Sequence, residues 1–193
     1  MTEAAVTIDE RGPVLLGLAR QSIASAFGET FDPAPAAEWL SAEGASFVTL
    51  TRVGKLRGCI GSVEPRRPLL DDVKVNARMA AFYDPRFPPL AAREFPTTRI
   101  EVSLLSPLEL ASARSQAEAL ALIRPHVDGV VLEEGRRRAT FLPQVWELLP
   151  DAGDFLGRLR LKAGLPSDFW SDDLRLYRYQ VTKWSEPESR GEA

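Results

Sequence analysis

Two stretches of this chain, 47–63 and 129–142, each read as a pair of strands folded back at a glycine-bearing turn. A hairpin must pair its strands antiparallel, so these stretches constrain the fold more than any other feature. The first turns at Val53-Gly54-Lys55 and the second at Glu134-Gly135-Arg136. Helical patterns lie between and around them. Leu15, Leu16, Ala19, Ile23, Ala26 and Phe27 recur on one helix face that stops at Gly28, with Pro13 suited to its first turn. Leu69, Leu70, Val73, Val75, Ala77 and 80–82 make a second such face. Arg99 to Ser106 alternates Ile100, Val102 and Leu104 against Arg99, Glu101 and Ser103, which predicts a strand with one buried and one polar face. Gln116–Ile123, Gln144–Leu149 and Asp154–Ala163 are predicted helices, and Leu174–Lys183 is predicted as one final strand. Strand pairs alternating with helices predict an α+β fold, with a mixed or largely antiparallel sheet and flanking helices. One domain over 13–184 is expected between flexible tails, 1–12 and 185–193, with a loop at Phe31-Asp32-Pro33-Ala34-Pro35.

Composition narrows the function classes. Of 193 residues 45% are apolar and 26% charged, enough for a real core under a solvated surface. The net charge of −3 offers no general attraction to phosphate backbones, so nucleic acid is disfavoured. No run approaches the roughly 20 apolar residues that span a bilayer, and the acidic start is unlike a signal peptide. A single cysteine cannot form an internal disulfide, which fits a cytoplasmic protein.

That cysteine lies in Leu56-Arg57-Gly58-Cys59-Ile60-Gly61, in the second arm of the first hairpin. Alternate side chains of an extended strand share a face, so Arg57 and Cys59 are expected to point the same way. A guanidinium beside a thiol favours the thiolate, the nucleophilic form. Glycine inside a strand is a cost unless something approaches the backbone closely, so Gly58 and Gly61 point to a site. A free cysteine is most often a small buried hydrophobe, and the hairpin arginine most often a surface one. The arginine and the glycines are what set this cysteine apart.

The same hexapeptide resembles the signature of the AMMECR domain family, whose bacterial and archaeal members are called AmmeMemoRadiSam system protein A. Further matches follow in order: Asp84-Pro85-Arg86-Phe87-Pro88-Pro89-Leu90, Ile100-Glu101-Val102-Ser103 to Leu105-Ser106-Pro107, Asp128-Gly129-Val130, 140–146 (Thr-Phe-Leu-Pro-Gln-Val-Trp) and 162–166 (Lys-Ala-Gly-Leu-Pro). The resemblance runs from about Leu15 to Val181. It implies two subdomain-like halves, duplicated β-α-β-β units whose closing strands are exchanged. It also implies a three-part system with a Memo-like protein and a radical S-adenosylmethionine protein.

On these residues Cys59 is the candidate nucleophile or attachment point and Glu101 the candidate proton carrier. Arg57, Asp84, Arg86 and Ser103, with the backbone at Gly58 and Gly61, are candidate substrate contacts. A buried Glu101 would take Arg57 or Arg86 as its partner. The loop 84–89 can equally be a stiff structural loop in which Asp84 and Arg86 pair with each other. His126, the sole histidine, reads as ordinary loop surface, and Arg136-Arg137-Arg138 as a solvated hairpin tip. No phosphate loop, dinucleotide turn or zinc motif is present, so no metal or cofactor of its own is expected, carboxylate-held magnesium remaining open. Two functions compete, a substrate-handling subunit acting through Cys59 on a small molecule, and a non-catalytic ligand-binding or scaffold protein. An RNA-associated regulatory role is weaker, for want of a basic or aromatic platform.

Overall fold

The computed structural model describes residues 8–31 and 37–187. Among these, the helices are α1 (Ile8–Ala24), α2 (Glu38–Ser41), α3 (Leu69–Phe82), α4 (Gln116–Leu122) and α5 (Ala152–Lys162). The strands are β1 (Ser46–Arg52), β2 (Lys55–Gly61), β3 (Thr98–Leu105), β4 (Glu109–Ala111), β5 (Gly129–Glu134), β6 (Arg137–Phe141), β7 (Arg175–Tyr179) and β8 (Val181–Ser185). Both predicted hairpins form, and the architecture is α+β with two antiparallel four-stranded sheets. The expected loop at 31–35 lies, beyond Phe31, outside the described residues, as do 1–7 and 188–193 of the expected tails.

The chain divides into two compact units, residues 1–104 with 182–193, and residues 105–181. The first sheet has the order β2-β1-β3-β8 and the second β6-β5-β7-β4. These are the same order. Along the chain, the short α2 aside, α1-β1-β2-α3-β3 is followed by β4, which joins the second sheet, and α4-β5-β6-α5-β7 is followed by β8, which joins the first. The closing strands are therefore exchanged between two halves of like topology, each α-β-β-α-β-β in chain order.

Each sheet buries one face under its helices. In the first unit Leu15, Leu18 and Ile23 of α1 and Val73, Ala77 and Ala80 of α3 pack with Val48, Leu50, Ile100 and Val102. Complete burial of such aliphatic side chains contributes about 1.5–3 kcal/mol each. Asp72, in the first turn of α3, is fully buried and accepts hydrogen bonds from Ser46 N and Oγ, Ser62 Oγ and Asn76 Nδ2. This carboxylate fastens α3 to both arms of the first hairpin. In the second unit Trp146 stacks on Phe155 with ring centroids 3.7 Å apart and donates its indole N–H to the Asp128 carbonyl at 2.7 Å.

Several boundaries and elements differ from expectation. Helix α1 begins at Ile8, so residues 8–12 are helical rather than tail. Pro13 is exposed, where water can answer the backbone bond that its ring forfeits. Gly12 is buried, and a Cβ there would lie 2.3 Å from the Trp184 ring, so the helix start belongs to the packed unit. At the other end Glu186 is no tail residue: its carboxylate takes Arg20 and the Ile100 N–H, and its own N–H donates to the Ile100 carbonyl. The predicted final strand is two strands. It breaks at Gln180, whose N–H donates to Ser106 Oγ at 3.0 Å and whose carbonyl accepts the Ser106 N–H at 2.9 Å. The predicted helix at 144–149 is a short 3-10 turn, Pro143–Glu147.

Candidate functional site

The site is built on β2, which is the edge strand of the first sheet. The turn Val53-Gly54 carries positive φ at both residues, +50° and +69°, the mirror-image geometry of two-residue hairpins. Counted from that turn, Leu50 would face Arg57 and Thr49 would face Gly58. A bulge intervenes: Thr51 pairs with Leu56, but Leu50 pairs with Gly58 and Thr49 with Cys59. Arg57 is the extra residue, and a bulge re-aims the side chain that it carries.

The expectation that Arg57 flanks the thiol is thereby corrected. Its Nε donates to Glu94 Oε1 at 3.2 Å and its Nη2 to Glu94 Oε2 at 3.0 Å and to the Pro89 carbonyl at 3.3 Å. The Arg57 hydrogen bonds, helped by the Ala91 N–H, hold the Glu94 carboxyl down to about 2. Arg57 thus anchors the loop through Glu94 and the Pro89 carbonyl. Only its Nη1 is buried with no acceptor.

The cation that does reach Cys59 is Arg86. Asp84, buried at 3% exposure, accepts Arg86 Nε at 2.9 Å and Nη2 at 2.7 Å, the Arg86 N–H at 3.1 Å and the Cys59 N–H at 2.9 Å. Those hydrogen bonds, Arg86 first, hold the Asp84 carboxyl well below the usual carboxylate range against the opposing effect of burial. Arg86 Nη2 also donates to the Cys59 carbonyl at 3.1 Å. Its guanidinium is held protonated above the ordinary arginine value by Asp84, with the Cys59 thiol adding to the effect. The predicted Asp84–Arg86 pair exists, and it satisfies both backbone groups that Cys59 turns away from the sheet. The Arg86 side chain remains 54% exposed, so part of it faces solvent beside the cysteine.

Cys59, Thr49 and Glu101 lie side by side across β2, β1 and β3, on the face opposite the core. Thr49 Oγ1 hydrogen-bonds to Cys59 Sγ at 3.2 Å. Two strand spacings put Glu101 roughly 10 Å from Cys59 across the sheet. The partners of Glu101 are on β8 and not the expected Arg57 or Arg86: Ser185 Oγ donates to it at 2.9 Å and Lys183 Nζ lies 3.9 Å away. Ser103 is buried one row further along, opposite Phe47, which faces Gly61. His126 is exposed in the second unit, with φ of +63°.

The two glycines have partners within the protein. A Cβ on Gly58 would lie 2.1 Å from the Ala80 carbonyl oxygen of α3, and one on Gly61 would lie 2.2 Å from the Phe47 ring. The close approach inferred from the sequence is real, but helix and ring make it rather than a ligand. Thr49 and Glu94 are site residues that the sequence reading omitted. The bulge hides the register that places Thr49 against Cys59, and the pairing of Glu94 with Arg57 spans 37 residues.

Among the described residues no group of three or more His, Cys, Asp and Glu side chains is placed to hold a metal ion, and no helix is long and apolar enough to cross a membrane.

Fold and site together define an α+β protein of two exchanged-strand sheets, with a thiol on the face of one of them that points away from its helices, clamped by an acid–arginine loop. The AMMECR1 family model matches residues 16–184, and the chain belongs to that family. A protein of Methanothermobacter thermautotrophicus is 46% identical over 137 residues, 70% of this chain and 71% of its own. One from Methanopyrus kandleri is 35% identical over 196 residues, covering 94% and 91%. The crystal structure of the uncharacterized protein PH0010 from Pyrococcus horikoshii superposes with a TM-score of 0.77 at 34% identity, covering 94% of each chain.

Proposed function

We propose that this protein handles a small anionic substrate at Cys59, as one component of a three-part system with a Memo-like protein and a radical S-adenosylmethionine protein in the cytoplasm. Cys59 is its nucleophile or attachment point. Arg86 takes the anion-recognition role expected of Arg57, and Glu101 accepts or returns a proton on substrate lying across Thr49. The partners come from the family resemblance alone. The observation that supports the chemistry is the Thr49 hydroxyl 3.2 Å from Cys59 Sγ, a hydrogen-bond partner at hand for the sulfur when it reacts.

Alkylation of the native protein tests it, because one cysteine makes intact-mass detection unambiguous. The reading expects labelling at neutral pH without denaturant, and loss of activity of the assembled system in a folded Cys59→Ser variant. Labelling only after unfolding defeats it. A second reading, a non-catalytic binding or scaffold protein, draws on the Arg57–Glu94 pairing, which leaves the motif arginine engaged inside the protein. Under that reading Cys59→Ala leaves ligand and partner affinities unchanged.

A further inference from the structure

The second unit holds a buried cation that is only partly satisfied by its own structure. Arg160 lies on α5 between Leu159 and Leu161 and is 1% exposed. Its Nη1 donates to the Ser167 carbonyl at 2.8 Å and to Gln116 Oε1 at 3.3 Å, tying α4 and the loop after α5 to the helix. Its Nε and Nη2 are buried and meet no acceptor. Trp170, whose ring lies 5.7 Å from the Arg160 guanidinium carbon, also has a buried indole N–H with no acceptor.

Other arginines show what that guanidinium edge is for. In Arg20, Arg57, Arg86 and Arg124 the Nε–Nη2 edge grips the two oxygens of a carboxylate: Glu186, Glu94, Asp84 and Asp128 in turn. In Arg160 that edge is buried, and no oxygen of the protein bonds to it. The protein also satisfies a buried indole elsewhere, as Trp146 donates to Asp128. Buried donors are rarely left without partners, and a buried guanidinium without a counter-ion is costly. Asp168 is close enough to favour the protonated arginine against the effect of burial, yet no oxygen of its carboxylate bonds to Nε or Nη2.

We propose that the Nε–Nη2 edge of Arg160, assisted by the Trp170 indole N–H, binds the carboxylate group of a ligand. A carboxylate matches the two parallel N–H bonds of the fork and supplies the missing negative charge. Ser167 and Trp170 both sit on the loop that follows α5. This site is independent of Cys59.

The test is a titration of the full-length, nitrogen-15-labelled protein with sodium acetate, ionic strength being held constant with sodium chloride. The Arg160 Nε–H and Trp170 indole resonances, assigned from Arg160→Lys and Trp170→Phe, are expected to shift and saturate together. Trp170→Phe should keep the arginine response and weaken acetate binding about fivefold, the effect of one lost hydrogen bond. That variant also serves if Arg160→Lys does not fold. Resonances that stay fixed, or follow chloride equally, overturn the proposal. So does exchange with a long-lived internal water at both N–H groups, since water then fills the edge. A response to inorganic phosphate and none to acetate overturns the assignment to a carboxylate.

Discussion

The Asp84 carboxylate accepts the backbone N–H of Cys59 at 2.9 Å, across 25 residues of chain. A loop side chain thereby makes the bond that a further strand would make at the edge of the sheet, while Arg86 covers the adjacent carbonyl. Ten residues on, Glu94 grips Arg57, so the proline-rich loop is fastened to β2 at both of its ends. The cysteine is held by its backbone, and its side chain is presented on the polar face.

Replacing Asp84 by Asn should therefore cost about 1.5–3 kcal/mol, because it weakens the hydrogen bonds that a buried carboxylate accepts from Arg86 and the Cys59 N–H, while Arg86, half exposed, stays solvated. The pH dependence has a defined sign. Both carboxyls are held below their ordinary values of 3.8 and 4.5 in the folded state, so their contribution is present above about pH 4.5 and is lost as pH falls below it. Urea unfolding between neutral pH and about pH 2.5 should show a steeper acid loss in the parent than in Asp84→Asn. Parallel curves would exclude Asp84 as a source of that loss.

Arg86 and Arg57 should separate in alkylation kinetics. Arg86→Ala removes the guanidinium beside the thiol and should slow native Cys59 alkylation at neutral pH by about three- to tenfold. Arg57→Ala should leave the chemistry of the thiol alone, and should act by releasing Glu94 and the loop, as seen in faster amide exchange at 90–94. Equal slowing in both variants would contradict the division of roles.

Gly58→Ala should lower stability by about 3 kcal/mol, since the added methyl meets a helix backbone atom rather than a flexible side chain. Thermal unfolding measures this. A variant as stable as the parent would mean that α3 is not packed so tightly on β2.

Val53 sits at φ of +50°, a conformation that β-branched residues avoid and asparagine accepts. Val53→Asn is expected to gain about 0.5–1 kcal/mol in urea unfolding, with Cys59 alkylation unchanged. No gain would indicate that the Val53 side chain, 86% exposed, contributes packing that its exposure does not reveal.

By itself the sequence determined the local elements. Periods of two and of 3.6 residues place both hairpins, α3, α4 and α5 where the structure has them, because each pattern is a property of neighbouring residues. It also marked the Cys59 strand and the Asp84–Arg86 loop, whose paired residues lie two apart. Tertiary structure decided the rest. A period-two pattern runs through Gln180 without a break, so nothing local shows that β7 and β8 belong to different sheets. One extra residue in β2 turned Arg57 toward Glu94 and brought Thr49 opposite Cys59. Such a bulge is set by how the strand meets its neighbour and the loop beyond, and a single strand read alone carries no trace of it.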